Sequence, residues 1–115
     1  MASSSLAVRV LPEELRSLAF GDISGSYAAL GDPLAHPARI MLFQNATDKD
    51  VLVSWDGVTD HMMVPVQSFI LVDVGTNKGI GSEFAVAQET QFYVKDTGVA
   101  TTLGAVYLTV LYGKE

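Results

Sequence analysis

The sequence predicts an all-β protein, a two-sheet antiparallel sandwich of the jelly-roll kind with an extended N-terminal arm. Short apolar runs alternate with turn residues at a spacing of roughly 8 to 12 residues, which is typical of sandwiches. Two acidic turns, ATDKD and DGVTD, separate the central runs and favour antiparallel connections. The last run, LGAVYLTVLYG, is rich in β-branched and aromatic residues, and its alternation places Val106, Leu108 and Val110 on one face.

The same patterns predict the elements in chain order. Alternation in SLAVRVL indicates an extended segment. PEELRSLAF resembles a short helix, because Pro12 and two glutamates suit a first helical turn, and Gly21 ends it. Strands are then predicted at about 26–30, 38–45, 51–55, 61–66, 68–74, 83–88, 90–96 and 103–113. We therefore divide the chain into an arm, residues 1–22, and a sandwich domain, residues 23–115.

The composition combines many apolar residues with little charge. Hydrophobic residues make up 49% of the 115 residues, and charged residues make up 17%. So little charge cannot cover the surface of a small domain, so we expect Ser, Thr, Gly and Asn to cover much of it and part of the apolar excess to lie against a partner. A homodimer or homotrimer, built through sheet edges or sandwich faces, is the self-association that this predicts.

Charge and residue usage disfavour several classes of function. The net charge is −6 and the basic residues are scattered, so the basic patch that nucleic-acid binding needs is missing from the sequence. The chain has no cysteine, which excludes thiolate metal sites. No apolar run approaches the roughly 18 residues of a membrane span, and the N-terminus does not resemble a signal peptide, so we expect synthesis in the cytoplasm and no membrane partner.

Residues with chemical potential are better explained as turn residues. The two acidic turns carry Asp48, Asp50, Asp56 and Asp60. Four carboxylates can bind calcium, but the later ligands and the glycine of an EF-hand are missing, and aspartate is an ordinary turn residue. His36 and His61 are too few for a zinc site, and no GxSxG nucleophile motif is present. We expect no enzyme activity, no cofactor and no metal.

Trp55, the single tryptophan, has two readings. It shares a strand face with Val51 and Val53, which predicts a place in the sandwich core. The alternative is a sugar-stacking platform beside Asp56 and Asp60, as in a carbohydrate-binding sandwich.

The stretch RIMLFQNATDKDVLVSWDGVTDHMMVPVQSFILVDV, followed by TQFYVKDTGVATTLGAVYLTVLYG, resembles small virion structural proteins of tailed bacteriophages. Within that group the chain is most similar in size and predicted fold to jelly-roll capsid cement, or decoration, proteins. The resemblance implies a non-enzymatic protein on the outer surface of the capsid, with the major capsid protein and its own copies as partners. A tail or head-to-tail connector component is the alternative within the same group.

The arm is the predicted attachment element, because it holds more apolar residues than a free tail would. We expect it to lie mainly on a neighbouring subunit, with its two arginines reaching acidic groups there. The predicted interface residues are Leu6, Val8, Arg9, Val10, Leu11, Arg16, Leu18 and Phe20.

Overall fold

The computed structural model describes residues 9–74 and 85–114, which form two antiparallel sheets. A single turn of 3-10 helix, Phe20–Asp22, is the one helical element in these ranges. The strands are β1 Arg9–Pro12, β2 Arg16–Ala19, β3 Ala28–Ala29, β4 Ala38–Asn45, β5 Val51–Ser54, β6 Met62–Val64, β7 Phe69–Asp73, β8 Tyr93–Asp96 and β9 Ala105–Lys114.

The strand pairing is nested, which makes the fold a jelly roll. In the first sheet the order is β1-β9-β4-β7, and β2 pairs with β9 beyond the end of β1. In the second sheet the order is β3-β8-β5-β6. The first strands thus pair with the last, the third with the eighth, the fourth with the seventh and the fifth with the sixth. A long hairpin rolled on itself gives this order, and the predicted fold class is confirmed.

The core lies between the two sheets. Phe43 on β4, Val53 on β5, Val94 on β8 and Leu108 on β9 are fully buried. Val106, Leu108 and Val110 lie on the buried side of β9, as the alternation predicts. The predicted strands of the central block are confirmed to within a few residues, whereas the predicted strand at 83–88 is represented, among described residues, by one bridge between Val86 and Ala38.

The short helix predicted in the arm is wrong. Arg16–Ala19 is strand β2, and it pairs with Ala105–Leu108 of the chain's own last strand. Arg9–Pro12 likewise pairs with the other end of β9. Helix-start residues are a weak preference, and pairing along a ten-residue strand overrides it. The described part of the arm is therefore an edge of the sandwich, while Leu6 and Val8 lie outside the described residues.

The turn before β9 depends on a glycine. Gly104 has a φ of 84°, which side chains with a Cβ rarely adopt. A Cβ at this position would lie 1.9 Å from the carbonyl oxygen of Ala46. Gly104 therefore lets the start of β9 approach the end of β4.

Candidate interaction surface

The outward side of the first sheet is an almost uncharged surface, which we call the apolar face. On β2, β4, β7 and β9 its residues alternate with more deeply buried ones, so the pleat itself defines them, and Leu15 lies in the link between β1 and β2. The apolar face consists of Val10, Pro12, Leu15, Ser17, Ala19, Ile40, Leu42, Gln44, Phe69, Leu71, Asp73, Tyr107, Thr109 and Leu111. Asp73 is the one charged residue in this set.

Strand register brings these side chains into continuous rows. Leu42 of β4 lies between Leu71 of β7 and Thr109 of β9. In the next row Gln44 lies between Phe69 and Tyr107. Neighbours in such rows are close enough for their side chains to touch, so the apolar groups form one surface across the strands.

The apolar face leaves large hydrophobic side chains in water. Phe69 is 65% exposed, and Leu71 and Leu15 are each 57% exposed. Single exposed apolar residues are normal, but a contiguous set across a sheet marks an interaction site. This surface is the strongest candidate site in the described part of the chain.

A groove lies at one end of the apolar face. Leu15, Phe69 and Tyr107 give it apolar walls, and Gln44 and Gln67 add amide groups. Its volume is about 450 Å³, and it opens to solvent. Gln67 is held in place by a hydrogen bond of 2.8 Å from its Nε2 atom to the carbonyl oxygen of Thr47. The groove can therefore receive a side chain from a protein that packs on the face.

The outward side of the second sheet is different in character. The Tyr27 hydroxyl donates to Asp60 over 2.5 Å, and Lys95 Nζ lies 3.3 Å from the same carboxylate oxygen. Lys95 also lies 4.7 Å from the centre of the Tyr27 ring, which is a cation–π contact. Burial and the neighbouring Asp60 raise the pKa of Tyr27, while the hydrogen bond from Tyr27 lowers the pKa of Asp60. The charges on this side are thus paired with one another.

The predicted interface residues fall into three groups. Val10 is 53% and Phe20 is 41% exposed, so both are available to a partner, and Arg9 is also exposed. Leu11 and Leu18 are half-buried, and Leu18 packs against the core. Arg16 is buried in its own chain, so the expectation that it reaches a neighbouring subunit is wrong.

Arg16 is buried because a network within the chain satisfies it. Its Nη2 atom lies 2.7 Å from Oε1 of Glu13, and its Nε atom donates to the carbonyl oxygen of Asp32 over 2.8 Å. The other carboxylate oxygen of Glu13 lies 2.8 Å from Nδ1 of His36, whose ring stacks on Tyr112 at 3.6 Å. Burial raises the pKa of Glu13, but hydrogen bonds from His36, Arg16 and the Ala35 N–H outweigh it and lower that pKa overall. This cluster fastens the β1–β2 link to the loop before β4.

The candidate metal ligands are occupied by turn hydrogen bonds. Asp56 accepts from the backbone N–H groups of Val58 and Thr59, each at 2.8 Å, which lowers its pKa. Asp48 accepts from Thr102 and Asp50 accepts from Val66. No group of three or more histidine, aspartate or glutamate side chains in the described ranges could hold a metal ion.

The two histidines have separate local roles. His36 belongs to the Glu13 cluster, and Nδ1 of His61 accepts the backbone N–H of Trp55 over 2.9 Å. Neither role uses a metal.

Trp55 packs against the core, which confirms the prediction of a core role over that of a sugar-stacking platform. Its ring meets Phe92 edge-on at 5.0 Å and lies 6.3 Å from Phe43. The ring of His61 lies 5.6 Å from the Trp55 ring and is perpendicular to it. Trp55 is half-buried, whereas Val51 and Val53 on the same strand are fully buried. The indole therefore packs against the core at the rim of the sandwich.

Comparison with known proteins adds little to this description. No protein-family model and no curated protein matches the sequence. A solved chain from the structure described as "Bacillus endospore appendages form a novel family of disulfide-linked pili" is similar at 13% identity, with a TM-score of 0.44, over 95% of this chain and 92% of that one. In the described part of the chain, no helix is both long and apolar enough to cross a membrane. The fold and the apolar face together define a jelly-roll sandwich with a surface suited to protein–protein contact.

Proposed function

We propose that this chain is a structural virion protein, a capsid cement or decoration protein that binds and stabilises the assembled head of a tailed phage. The observation that carries the proposal is the apolar face. The apolar face is the side of the first sheet that points away from the core, and the second sheet already covers the other side. Packing of the core therefore does not require these outward side chains to be apolar. A surface of this kind is suited to be covered by another protein in an assembly.

The mechanism that follows is binding by mass action. A protein that binds the assembled shell better than the free capsid subunit stabilises the shell in proportion to its occupancy. The paired charges of the second sheet and the acidic turns keep the rest of the molecule soluble, and the outside of a shell requires no basic surface. No catalytic residue is needed for this role.

A binding assay with phage heads tests the proposal. Heads assembled without this protein are mixed with the purified chain and sedimented, and their resistance to heat is measured. The proposal predicts co-sedimentation and a higher temperature of head disruption. Leu71→Asp should weaken both effects strongly, because it places a charge in the contact that the apolar face makes in the assembly.

The matched control is Val58→Asp, which puts the same charge on an apolar residue that is 80% exposed in the turn after β5. This variant should bind heads like the wild type. Equal binding by Leu71→Asp and the wild type would contradict the proposed role of the face. Co-sedimentation with isolated tails or connectors, and not with heads, would support the alternative, in which the protein is a tail or head-to-tail connector component.

The carbohydrate-binding alternative is disfavoured by the surroundings of Trp55. A sugar-stacking platform presents an exposed indole, whereas Trp55 is half-buried and its ring lies against Phe43, Phe92 and His61. A glycan array is the direct check, and we expect no binding that depends on Trp55.

A further inference from the structure

We infer that the apolar face is the contact surface between two copies of this chain, so that the protein attaches to its particle as a two-fold dimer. The inference deepens the proposed function by naming the partner of the face. It rests on the shape, the charge and the size of the face.

The shape of the face fits a second copy. Two twisted sheets of the same hand pack face to face when their strands are nearly aligned. A second copy offers an identical sheet, with a leucine and threonine row at the centre and aromatic side chains at one end. The groove beside Tyr107 and Gln44 then provides space for side chains that project from the facing sheet.

The charge of the face also fits a second copy. Two chains that each carry a net charge of −6 repel one another unless their charges lie away from the contact. On the apolar face Asp73 is at one margin, on the edge strand β7. The turn aspartates and the Tyr27–Asp60–Lys95 cluster lie elsewhere. The face is therefore the surface through which two such acidic molecules can meet.

The size of the face is close to what a stable dimer needs. The fourteen residues of the apolar face, on strands about 4.8 Å apart and with outward residues about 6.8 Å apart along each strand, cover roughly 450 Å² of sheet plane. Side chains that stand up from the plane add accessible area to this figure. Stable interfaces bury about 800 Å² on each partner. Since the same face serves both copies, the contact is isologous and closes at two, which selects the dimer over the trimer.

Sedimentation of the isolated protein tests the inference. At micromolar concentration the wild type and Val58→Asp should sediment as dimers. Leu71→Asp should raise the dissociation constant by about a hundredfold or more, because each dimer would bury two unpaired charges. Its circular dichroism should remain that of the wild type, since Leu71 is exposed in the single chain.

Cysteine cross-linking gives a second measurement that does not depend on the Leu71 variant. The chain has no cysteine, so one introduced thiol reports one contact. Thr109→Cys, at the centre of the face, should give a covalent dimer with a short bis-maleimide, whereas Val58→Cys should not.

The outcomes separate this inference from the proposed function. A wild type that is still a monomer at about 100 μM, roughly 100-fold above the concentration of the first experiment, would overturn the inference. If that monomer still bound heads through the apolar face, the occupant of the face would be capsid protein. A dimer that is insensitive to Leu71→Asp and cross-links through Val58→Cys would also overturn it. A Leu71-dependent dimer that binds no heads would support the inference and contradict the proposed function.

Discussion

Glu13 and Arg16, three residues apart, form a buried ion pair in which Nη2 and Oε1 lie 2.7 Å from each other. Only 9% of the Arg16 side chain and 4% of the Glu13 side chain are exposed. Arg16 also donates to the carbonyl oxygens of Asp32 and Pro33, so the pair connects the first strands of the chain to a loop that follows β3. The N-terminal strands are therefore part of the sandwich, and they contribute to its stability.

The first prediction is that Glu13→Gln destabilises the fold by about 2–4 kcal/mol, because it leaves the buried guanidinium without its carboxylate. Urea unfolding followed by circular dichroism measures this loss. Glu14→Gln is the control, since Glu14 is exposed, and it should change the unfolding free energy by less than about 0.5 kcal/mol. Similar losses in the two variants would show that the cluster does not stabilise the chain.

The second prediction concerns pH. The pKa of Glu13 is lower in the folded chain than in the unfolded one, so its contribution is present above the unfolded pKa, about 4.3, and is lost as the pH falls through the folded pKa. The difference in unfolding free energy between wild type and Glu13→Gln should therefore shrink as the pH falls from about 5 to 3. Arg16 and His36 are the side chains that face this carboxylate. The two proteins share every other acidic residue. A difference in unfolding free energy that stays constant with pH would therefore contradict the claim that the Glu13 carboxylate stabilises the fold.

The third prediction is a graded series of glycine substitutions. Gly21→Ala should be nearly neutral, because Gly21 lacks a positive φ and a Cβ there meets open space. Gly98→Ala should cost about 1 kcal/mol, since Gly98 has a φ of 105° but no neighbour within 4 Å. Gly104→Ala should cost at least about 2 kcal/mol, because strain and the contact with Ala46 add. Melting temperatures in any other order would be inconsistent with this turn geometry.

The fourth prediction is that Trp55→Ala lowers the unfolding free energy by about 2–3 kcal/mol, less than for a fully buried aromatic, because Trp55 is half-buried. Thermal unfolding measures the loss, and Val58→Ala, at an 80% exposed position, is the control that should change little. An unchanged melting temperature for Trp55→Ala would show that Trp55 does not contribute to the stability of the core.

Much of this architecture is readable from the sequence, and the reasons for the failures are physical. The strand at 38–45 follows from an apolar run that ends at turn residues, and the buried side of β9 follows from local alternation. The pairing of Arg16–Ala19 with Ala105–Leu108 does not, because it joins segments at opposite ends of the chain. The burial of Arg16 does not follow from the sequence either, because its partners include carbonyl groups of a loop that is distant along the chain.

The apolar face was missed for a related reason. Both sides of β4 and β7 are apolar in sequence, with Leu42 beside Phe43 and Leu71 beside Ile70. Alternation indicates that such residues lie on two faces, but it does not indicate which face meets the second sheet. The register with β9 decides this, and it leaves Leu42 and Leu71 on the outside.

The most direct test of the account is a reconstruction of the particle by electron microscopy at a resolution that traces this chain. The account predicts that the chain lies on the head and that Leu42, Leu71 and Phe69 are covered in the particle by the apolar face of a second copy. A particle in which these side chains face solvent, or are covered by capsid protein, would contradict it.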